Sequence, residues 1–164
     1  MLHSTLLLMV AMTQSSAPPP AEDEILRAFD SAWVVALGEN HGHEEFHDLV
    51  LRVLRARRAF ATIDDIAVEW GNALYQDVVD RYAGGQDVPW DSVTMAWRNT
   101  IVSPNTVWDA PVYARFFREV RRINQARTDG GQYRILLADS PVEWNDVDSV
   151  PQLRPFFDRA GAME

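Results

Sequence analysis

The sequence predicts an α/β fold in which helices flank a mainly parallel sheet in three layers. Three short apolar runs have the length of buried strands and end in polar residues: "WVVALGE" (33–39), "DIAVEWG" (65–71) and "YRILLADSP" (133–141). Helical stretches separate the runs, and strands that alternate with helices form parallel sheets with right-handed crossovers. Because 47% of the 164 residues are hydrophobic, the chain can bury one ordinary core. We therefore expect about three strands in one domain.

Apolar residues at helical spacing predict the helices between these strands. The predicted helices cover residues 22–29, 43–60, 74–82, 88–100 and 112–127, and a short one follows the third strand. Gly84 and Gly85 are expected to end the third helix, because glycine readily adopts the conformation that terminates a helix.

The domain boundary is predicted near residue 21. Residues 1–21 contain an apolar run from Leu6 to Met12 and a proline-rich stretch, which is typical of a disordered leader or a weak signal-like segment. Both a cytoplasmic and an exported protein are therefore compatible with the sequence. Residues 22–164 are expected to form the α/β domain. A three-stranded sheet leaves an open edge, and the end at Glu164 reads as the start of a helix, so we expect an incomplete N-terminal part of a larger domain.

Charge and composition limit the classes of partner that the chain is expected to bind. Twenty-four acidic and fifteen basic residues give a net charge of -9, which repels a nucleic-acid backbone, so no nucleic acid is expected. With no cysteine, any metal has to be held by His, Asp or Glu. No run of apolar residues is long enough to predict a membrane span. The expected partner is a small-molecule or peptide substrate, and the sequence does not predict the oligomeric state.

Polar side chains follow each predicted strand. Glu39 and His41 follow the first strand, Glu69 and Trp70 end the second, and Asp139 ends the third. Loops at the carboxyl ends of parallel strands converge, so these side chains are expected to share one site. An imidazole beside carboxylates can accept a proton near neutral pH or bind a divalent metal. Each carboxylate alone also has a purely structural interpretation, as a helix cap, a turn residue or an ion-pair partner.

Two further residues are candidates for substrate binding beside Asp139. Trp70 could wall an apolar pocket, although tryptophan is also a common core anchor. Arg98 could hold an anionic substrate, with a surface salt bridge as the alternative.

Histidines and carboxylates are concentrated in "GENHGHEEFH", residues 38–47. His43, Glu44 and His47 spell H-E-x-x-H, the spacing at which zinc proteases place two histidines on one helical face. Glu45 and Asp48 flank the pair here, and the motif occupies the predicted first helical turn. We therefore interpret it as a solvated helix start whose acidic residues complement the helix dipole.

"LGENHGHEEF" also resembles the first motif of a bacterial superfamily. This superfamily includes the haem-uptake protein ChaN, the Tiki and TraB metalloprotease-like domains and the erythromycin-esterase-like proteins. The shared patterns are G-E-x-H at Gly38 to His41 and H-G-x-x-E-F at His41 to Phe46. The strand ending in Glu69 matches the next landmark, and the resemblance covers roughly residues 33 to 145.

The resemblance implies a mixed α/β domain with its site at the strand ends. His41 would be a metal ligand or a catalytic base, and Glu39 and Glu69 would be metal ligands or carboxylates that activate water. Three functions follow as hypotheses. The first is an ester or peptide hydrolase with a divalent metal or a general base. The second is a ChaN-like protein that binds haem or another flat ligand near His41 or Tyr75. The third is an inactive truncated homologue.

Overall fold

The structure, a computed structural model, describes residues 18–102 and 106–156. Five α-helices lie wholly within this part of the chain: α1 (Ala21–Ala28), α2 (Glu44–Arg55), α3 (Gln76–Ala83), α4 (Trp90–Arg98) and α5 (Pro111–Ala126). Two strands, β1 (Asp65–Asn72) and β2 (Arg134–Asp139), complete it together with short 3-10 turns, such as Val150–Leu153 near its end. The α/β class is confirmed. None of the helices in the described part is long and apolar enough to cross a membrane.

The five predicted helices that precede β2 are all present, with differences at their ends. The largest difference is in α2, which was expected to continue to residue 60 but ends at Arg55. Ala56 adopts an extended conformation there, and a 3-10 turn at Ala59–Ala61 then places the Ala59 side chain in the core. The predicted helix over residues 74–82 begins as a 3-10 turn, Ala73–Tyr75, before α3.

The two strands pair in parallel, as the sequence predicts. Asp65 lies opposite Arg134 and Val68 opposite Leu137, and the register becomes irregular before Asn72 meets Asp139. Helices α3, α4 and α5 form the connection between the strands, because a parallel neighbour can be reached only by a crossover.

The predicted first strand is wrong. Residues 33–39 form no strand, and the backbone of residues 33–38 makes no hydrogen bond to another described residue. The side chains of Trp33, Val34 and Leu37 are 101%, 80% and 42% exposed. An apolar run forms a strand only if a neighbouring strand offers hydrogen-bond partners to its backbone N–H and C=O groups. The described residues provide no such neighbour. The sheet has two strands instead of three.

The expected third layer is also missing from the described part of the chain. On one face of the sheet Val68, Trp70, Ile135 and Leu137 are buried beneath the helices. On the other face of β1, Asp65, Ala67 and Glu69 are exposed. The described residues therefore form two layers, and the carboxylate of Glu69 belongs to the uncovered face.

A glutamine side chain covers the outer edge of β2. The Gln76 Nε2 donates to the carbonyl of Ile135 at 2.7 Å, and its Oε1 accepts from the backbone N–H of Leu137 at 2.9 Å. These are backbone groups of β2 that face away from β1, since alternate residues of a strand bond to opposite neighbours. The carboxamide thus replaces part of a third strand at this edge.

The core is built around α5, the longest helix. Its buried side chains are Val112, Tyr113, Phe116, Phe117, Val120, Ile123 and Asn124. Trp97 from α4 stacks on Phe117 with 4.9 Å between ring centroids. Trp70 packs edge-on against the same phenylalanine at 5.5 Å, so β1, α4 and α5 are joined by one aromatic cluster.

Asn124 connects the end of α5 to two other elements. Its Nδ2 donates to the carbonyls of Ala83 and Tyr133, and its Oδ1 accepts from the Tyr133 backbone N–H. The residue is 5% exposed, so a missing partner would leave a buried polar group without a hydrogen bond.

Substitution of Gly71 by alanine is expected to destabilise the sheet. A Cβ at this position would lie 2.5 Å from Leu137 Cδ2 and 3.2 Å from Leu137 Cα, in the neighbouring strand. We expect Gly71→Ala to lower the free energy of unfolding by about 1–3 kcal/mol, measured by urea denaturation. In Gly38→Ala, the control, the new Cβ meets no atom within 4 Å, and we expect a change below about 1 kcal/mol. Equal stability of the two variants would contradict the close strand packing.

Candidate functional site

The candidate site is built on the turn between the Trp33–Gly38 segment and α2. The His43 backbone N–H donates to the carbonyl of Asn40, which closes the turn. Gly42 adopts a φ of +76°, a conformation that favours glycine, and a Cβ there would lie 3.3 Å from the Cβ of Ala110. The sequence G-E-N-H-G thus ends in a glycine because both the backbone conformation and the contact with Ala110 require one.

The carboxylate of Glu39 is fixed through one of its oxygens. Oε1 accepts a hydrogen bond from the Tyr113 hydroxyl at 2.9 Å and one from the Gly42 backbone N–H at 3.3 Å, and it lies 3.0 Å from His47 Nε2. The Gly42 N–H also donates to the Tyr113 hydroxyl at 2.9 Å. The other oxygen, Oε2, takes part in none of these bonds. We call Glu39, Gly42, His47 and Tyr113 the Glu39 cluster.

His47 donates to this carboxylate from inside the core. Its side chain is 2% exposed and that of Glu39 is 9% exposed. The ring of His47 packs edge-on against Tyr113, with 5.2 Å between centroids, and Nδ1 is buried with no hydrogen-bond partner. Because a carboxylate can only accept hydrogen bonds, Nε2 is the donor in this contact.

The hydrogen bonds of the cluster determine which groups are charged. Burial by itself would raise the pKa of Glu39, but the bonds from His47, Tyr113 and Gly42 outweigh burial and hold that pKa below its usual range. The pKa of Tyr113 is well above its usual value, because the hydroxyl is buried and donates to the Glu39 carboxylate. The cluster thus holds a carboxylate anion and a neutral phenol at neutral pH.

His41, the predicted base or metal ligand, lies in the same turn as Glu39. Its side chain is exposed, and its ring packs edge-on against Trp108 with 4.5 Å between centroids. Trp108 in turn contacts Tyr113 of the Glu39 cluster, with 5.4 Å between centroids. His41 is therefore a solvent-accessible imidazole that packs against an indole, in the same turn as a buried anion.

The carboxylates predicted at the ends of the other strands occupy different environments. Glu69 is exposed on β1, and its charge helps to raise the pKa of both Tyr113 and Asp139. Asp139 accepts hydrogen bonds from the backbone N–H groups of Ile101 and Ser140, both at 2.8 Å. Burial is the main reason why the pKa of Asp139 is raised. Asp139 thus acts as a turn cap at the end of β2.

The two other predicted substrate residues make structural contacts. Trp70 is 4% exposed and packs against Tyr113 and Phe116 in the core. Arg98 forms an exposed ion pair with Asp109, with 2.7 Å between Nε and Oδ1. Tyr75, named as a possible haem contact, accepts a hydrogen bond from Asn99 Nδ2 at 2.6 Å.

The predicted metal ligands His41, Glu39 and Glu69 do not form a metal site in the described geometry. Within the residues that the structure describes, no group of three or more His, Cys, Asp and Glu side chains is placed to hold a metal ion. The H-E-x-x-H histidines also diverge, because His43 is 57% exposed and pairs with Glu45, whereas His47 is buried. The interpretation of a solvated helix start is therefore wrong for His47.

Sequence reasoning missed Tyr113 and the buried role of His47. A signal for His47 was available, because it lies four and seven residues before Leu51 and Leu54 on the buried face of α2. Tyr113 had no comparable signal, since it lies 74 residues after Glu39 and looks like an ordinary apolar position of α5.

In comparisons with known proteins, no protein-family model, curated protein or solved structure matches the chain.

Removal of the Tyr113 hydroxyl is expected to destabilise the protein. The hydroxyl is buried and bonds to both an ionised carboxylate and a backbone N–H, so we expect Tyr113→Phe to lower the free energy of unfolding by about 1–3 kcal/mol at neutral pH. The control is Tyr133→Phe, because the equally buried Tyr133 donates only to the carbonyl of Leu54 and should cost about 0.5–1.5 kcal/mol. Urea denaturation measures both. A smaller loss in Tyr113→Phe than in the control would contradict an ionised Glu39.

The lowered pKa of Glu39 also predicts how stability depends on pH. A carboxylate whose pKa is lower in the folded than in the unfolded protein stabilises the fold above the unfolded pKa, and this contribution is lost as the pH falls through the folded pKa. We expect the free energy of unfolding of Glu39→Gln to fall less than that of the wild type between about pH 6 and pH 3. The control is Glu119→Gln, which removes a half-buried carboxylate whose pKa is also lowered, by hydrogen bonds from Arg122 and Arg55. The effect there should be smaller and should weaken in salt, because both arginines are exposed. An unchanged pH profile in Glu39→Gln would refute the anchored anion.

Proposed function

We propose that the chain is a hydrolase-like domain that cleaves esters, with His41 as the general base that activates water. The observation that carries the proposal is the Glu39 cluster: a buried carboxylate, ionised and fixed through Oε1, lies in the same turn as the exposed imidazole of His41. The resemblance of "LGENHGHEEF" to erythromycin-esterase-like proteins supports the choice of an ester.

The chemistry requires one proton acceptor and one fixed negative charge. The neutral His41 imidazole would take a proton from water while the water oxygen bonds to the ester carbonyl carbon. When the bond to the alcohol oxygen breaks, the same proton returns to the leaving alkoxide. Glu39 would stabilise the intermediate imidazolium by its charge, without taking the proton itself, because its lowered pKa keeps it ionised.

Two buried polar atoms near the cluster support a site that binds a polar molecule. His47 Nδ1 and Trp108 Nε1 have no hydrogen-bond partner within the described residues. Buried polar atoms without partners are uncommon in native proteins, and a bound water or ligand is a frequent explanation. Trp108 also contacts His41, so one of the two atoms belongs to the wall beside the proposed base.

The proposal assigns the other predicted residues less direct roles. Glu69 contributes negative charge from the exposed face of β1, while Trp70 and Asp139 support the site from the core and from the turn after β2. His41, Glu39 and Glu69 do not fit a metal ion together in the described geometry, so no step of the proposed reaction passes through a metal.

Haem binding is the second candidate function. It is favoured by the exposed ring of His41 beside the indole of Trp108, since an imidazole can bind haem iron and an aromatic wall can contact the flat macrocycle. Haem titration of the wild type should then produce a shifted Soret band that His41→Ala abolishes.

Ester hydrolysis can be tested at His41 with a matched histidine. We expect His41→Ala to lower kcat/KM for p-nitrophenyl acetate and butyrate by about 100- to 1000-fold, because the base is lost, and added imidazole to restore part of the rate. His43→Ala is the control, since His43 is 57% exposed, only two residues away, and assigned no role.

The outcomes separate the three hypotheses. An unchanged rate in His41→Ala, or an equal loss in both variants, would refute general-base catalysis by His41. A Soret band that depends on His41, without hydrolysis, would favour the haem-binding function. If the wild type neither hydrolyses esters nor binds haem, the remaining hypothesis is the inactive truncated homologue.

A further inference from the structure

The most unusual surface of the molecule is the segment Trp33–Leu37. Trp33 is completely exposed, Val34 is 80% exposed and Leu37 is 42% exposed. Isolated exposed apolar residues are common, but a contiguous apolar segment with a tryptophan in solvent is typical of a surface that another protein covers. The segment is separate from the aromatic core, since none of these three side chains is buried.

The backbone of this segment is available for strand pairing. Residues 33–38 make no backbone hydrogen bond to any other described residue, and their N–H and C=O groups therefore depend on solvent. A segment whose backbone groups lack partners can pair as a strand with another chain. Within the described structure, no side chain is hydrogen-bonded to the backbone of this segment. The outer edge of β2 differs, because the Gln76 carboxamide covers it.

Charge favours a copy of the same segment as the partner. The chain carries a net charge of -9, which opposes the approach of two copies over most of their surface. Residues 31–38, however, are uncharged, and Asp30 and Glu39 mark the two ends of this neutral stretch. Two copies can meet here without bringing like charges together.

The order of side chains is complementary to itself. In an antiparallel pair centred on Val35, the bulky Trp33 lies opposite Leu37 of the partner subunit, and Val34 lies opposite Ala36 of the partner subunit. Large side chains therefore face smaller ones. Asp30 and Glu39 lie outside this pair, because Asp30 belongs to the turn after α1 and Glu39 is held in the Glu39 cluster.

We propose that Trp33–Leu37 is a homodimer interface in which two copies pair as antiparallel strands around a two-fold axis at Val35. The partner is a second copy of this chain, and the interface forms by backbone pairing together with burial of Trp33, Val34 and Leu37. A single strand pair is smaller than a standard protein interface, so we expect a dissociation constant on the order of 10 μM.

The first test compares two valines that are equally exposed. Val34 and Val150 are both 80% exposed, and only Val34 belongs to the proposed interface. Sedimentation equilibrium of the full chain should show a monomer–dimer equilibrium in the wild type and in Val150→Lys. Val34→Lys should raise the dissociation constant at least about tenfold, because dimer formation would remove water from the new ammonium group. Trp33→Ser should also raise the dissociation constant. Both residues are exposed, so circular dichroism should show an unchanged fold.

The second test measures the register. Val35 lies opposite itself in the proposed pair, at a Cα separation of about 4.5–5.5 Å that permits a disulfide. Because the chain has no cysteine, Val35→Cys introduces a single thiol, which should form a disulfide-linked dimer under mild oxidation. Val150→Cys is the matched control and should remain mostly monomeric.

Three results would overturn the proposal: a monomer at all concentrations up to about 200 μM, which is well above the expected dissociation constant; a dimer that Val34→Lys and Val150→Lys affect equally; or equal oxidation of the two cysteine variants. None of these results would bear on ester hydrolysis by His41, because the interface was inferred from a different part of the surface.

Discussion

The anchored carboxylate of Glu39 is the interaction on which the candidate site depends. It joins three parts of the chain, because its Oε1 is bonded by the turn at Gly42, by His47 of α2 and by Tyr113 of α5. A buried anion without these donors would be strongly destabilising, so the turn can keep its place only when both helices are packed correctly. The position of His41, two residues further on, follows from the same bonds.

The outer edge of β2 and the Trp33–Leu37 segment differ in whether other groups cover their backbone. The outer edge of β2 is closed by the Gln76 carboxamide, so no third strand is needed there. The Trp33–Leu37 segment and the face of β1 that carries Ala67 and Glu69 are left open to solvent. The described part of the chain therefore combines a well-packed aromatic core with an exposed apolar segment and an uncovered sheet face.

Local pattern was sufficient to predict the helices and both strands that form. Helices α1 to α5 each carry apolar side chains at helical spacing, and β1 and β2 are short apolar runs bounded by polar residues. The same reasoning failed for residues 33–39, because a strand also requires a neighbour, and the apolar run does not reveal whether one is present. It also could not reveal that one face of the sheet is uncovered.

The candidate site was predictable only in part, and for a similar reason. Glu39 and His41 stand together in a short motif, so their proximity was visible in the sequence. The contact between Glu39 and Tyr113 depends on how α5 packs against the turn, and no local pattern records it. Asp139 does lie at the end of β2, but Glu69 is the fifth of the eight residues of β1, and side-chain direction and burial give the two carboxylates different environments.

Asn124 has a consequence for how the molecule opens. Its carboxamide bonds to Ala83 at the end of α3 and to Tyr133 just before β2, so none of the three elements can separate without leaving a buried amide unpaired. These elements should therefore lose their protection from solvent exchange together, as one cooperative unit. Residues 33–38, whose backbone makes no hydrogen bond to another described residue, lie outside that unit and should exchange independently of it.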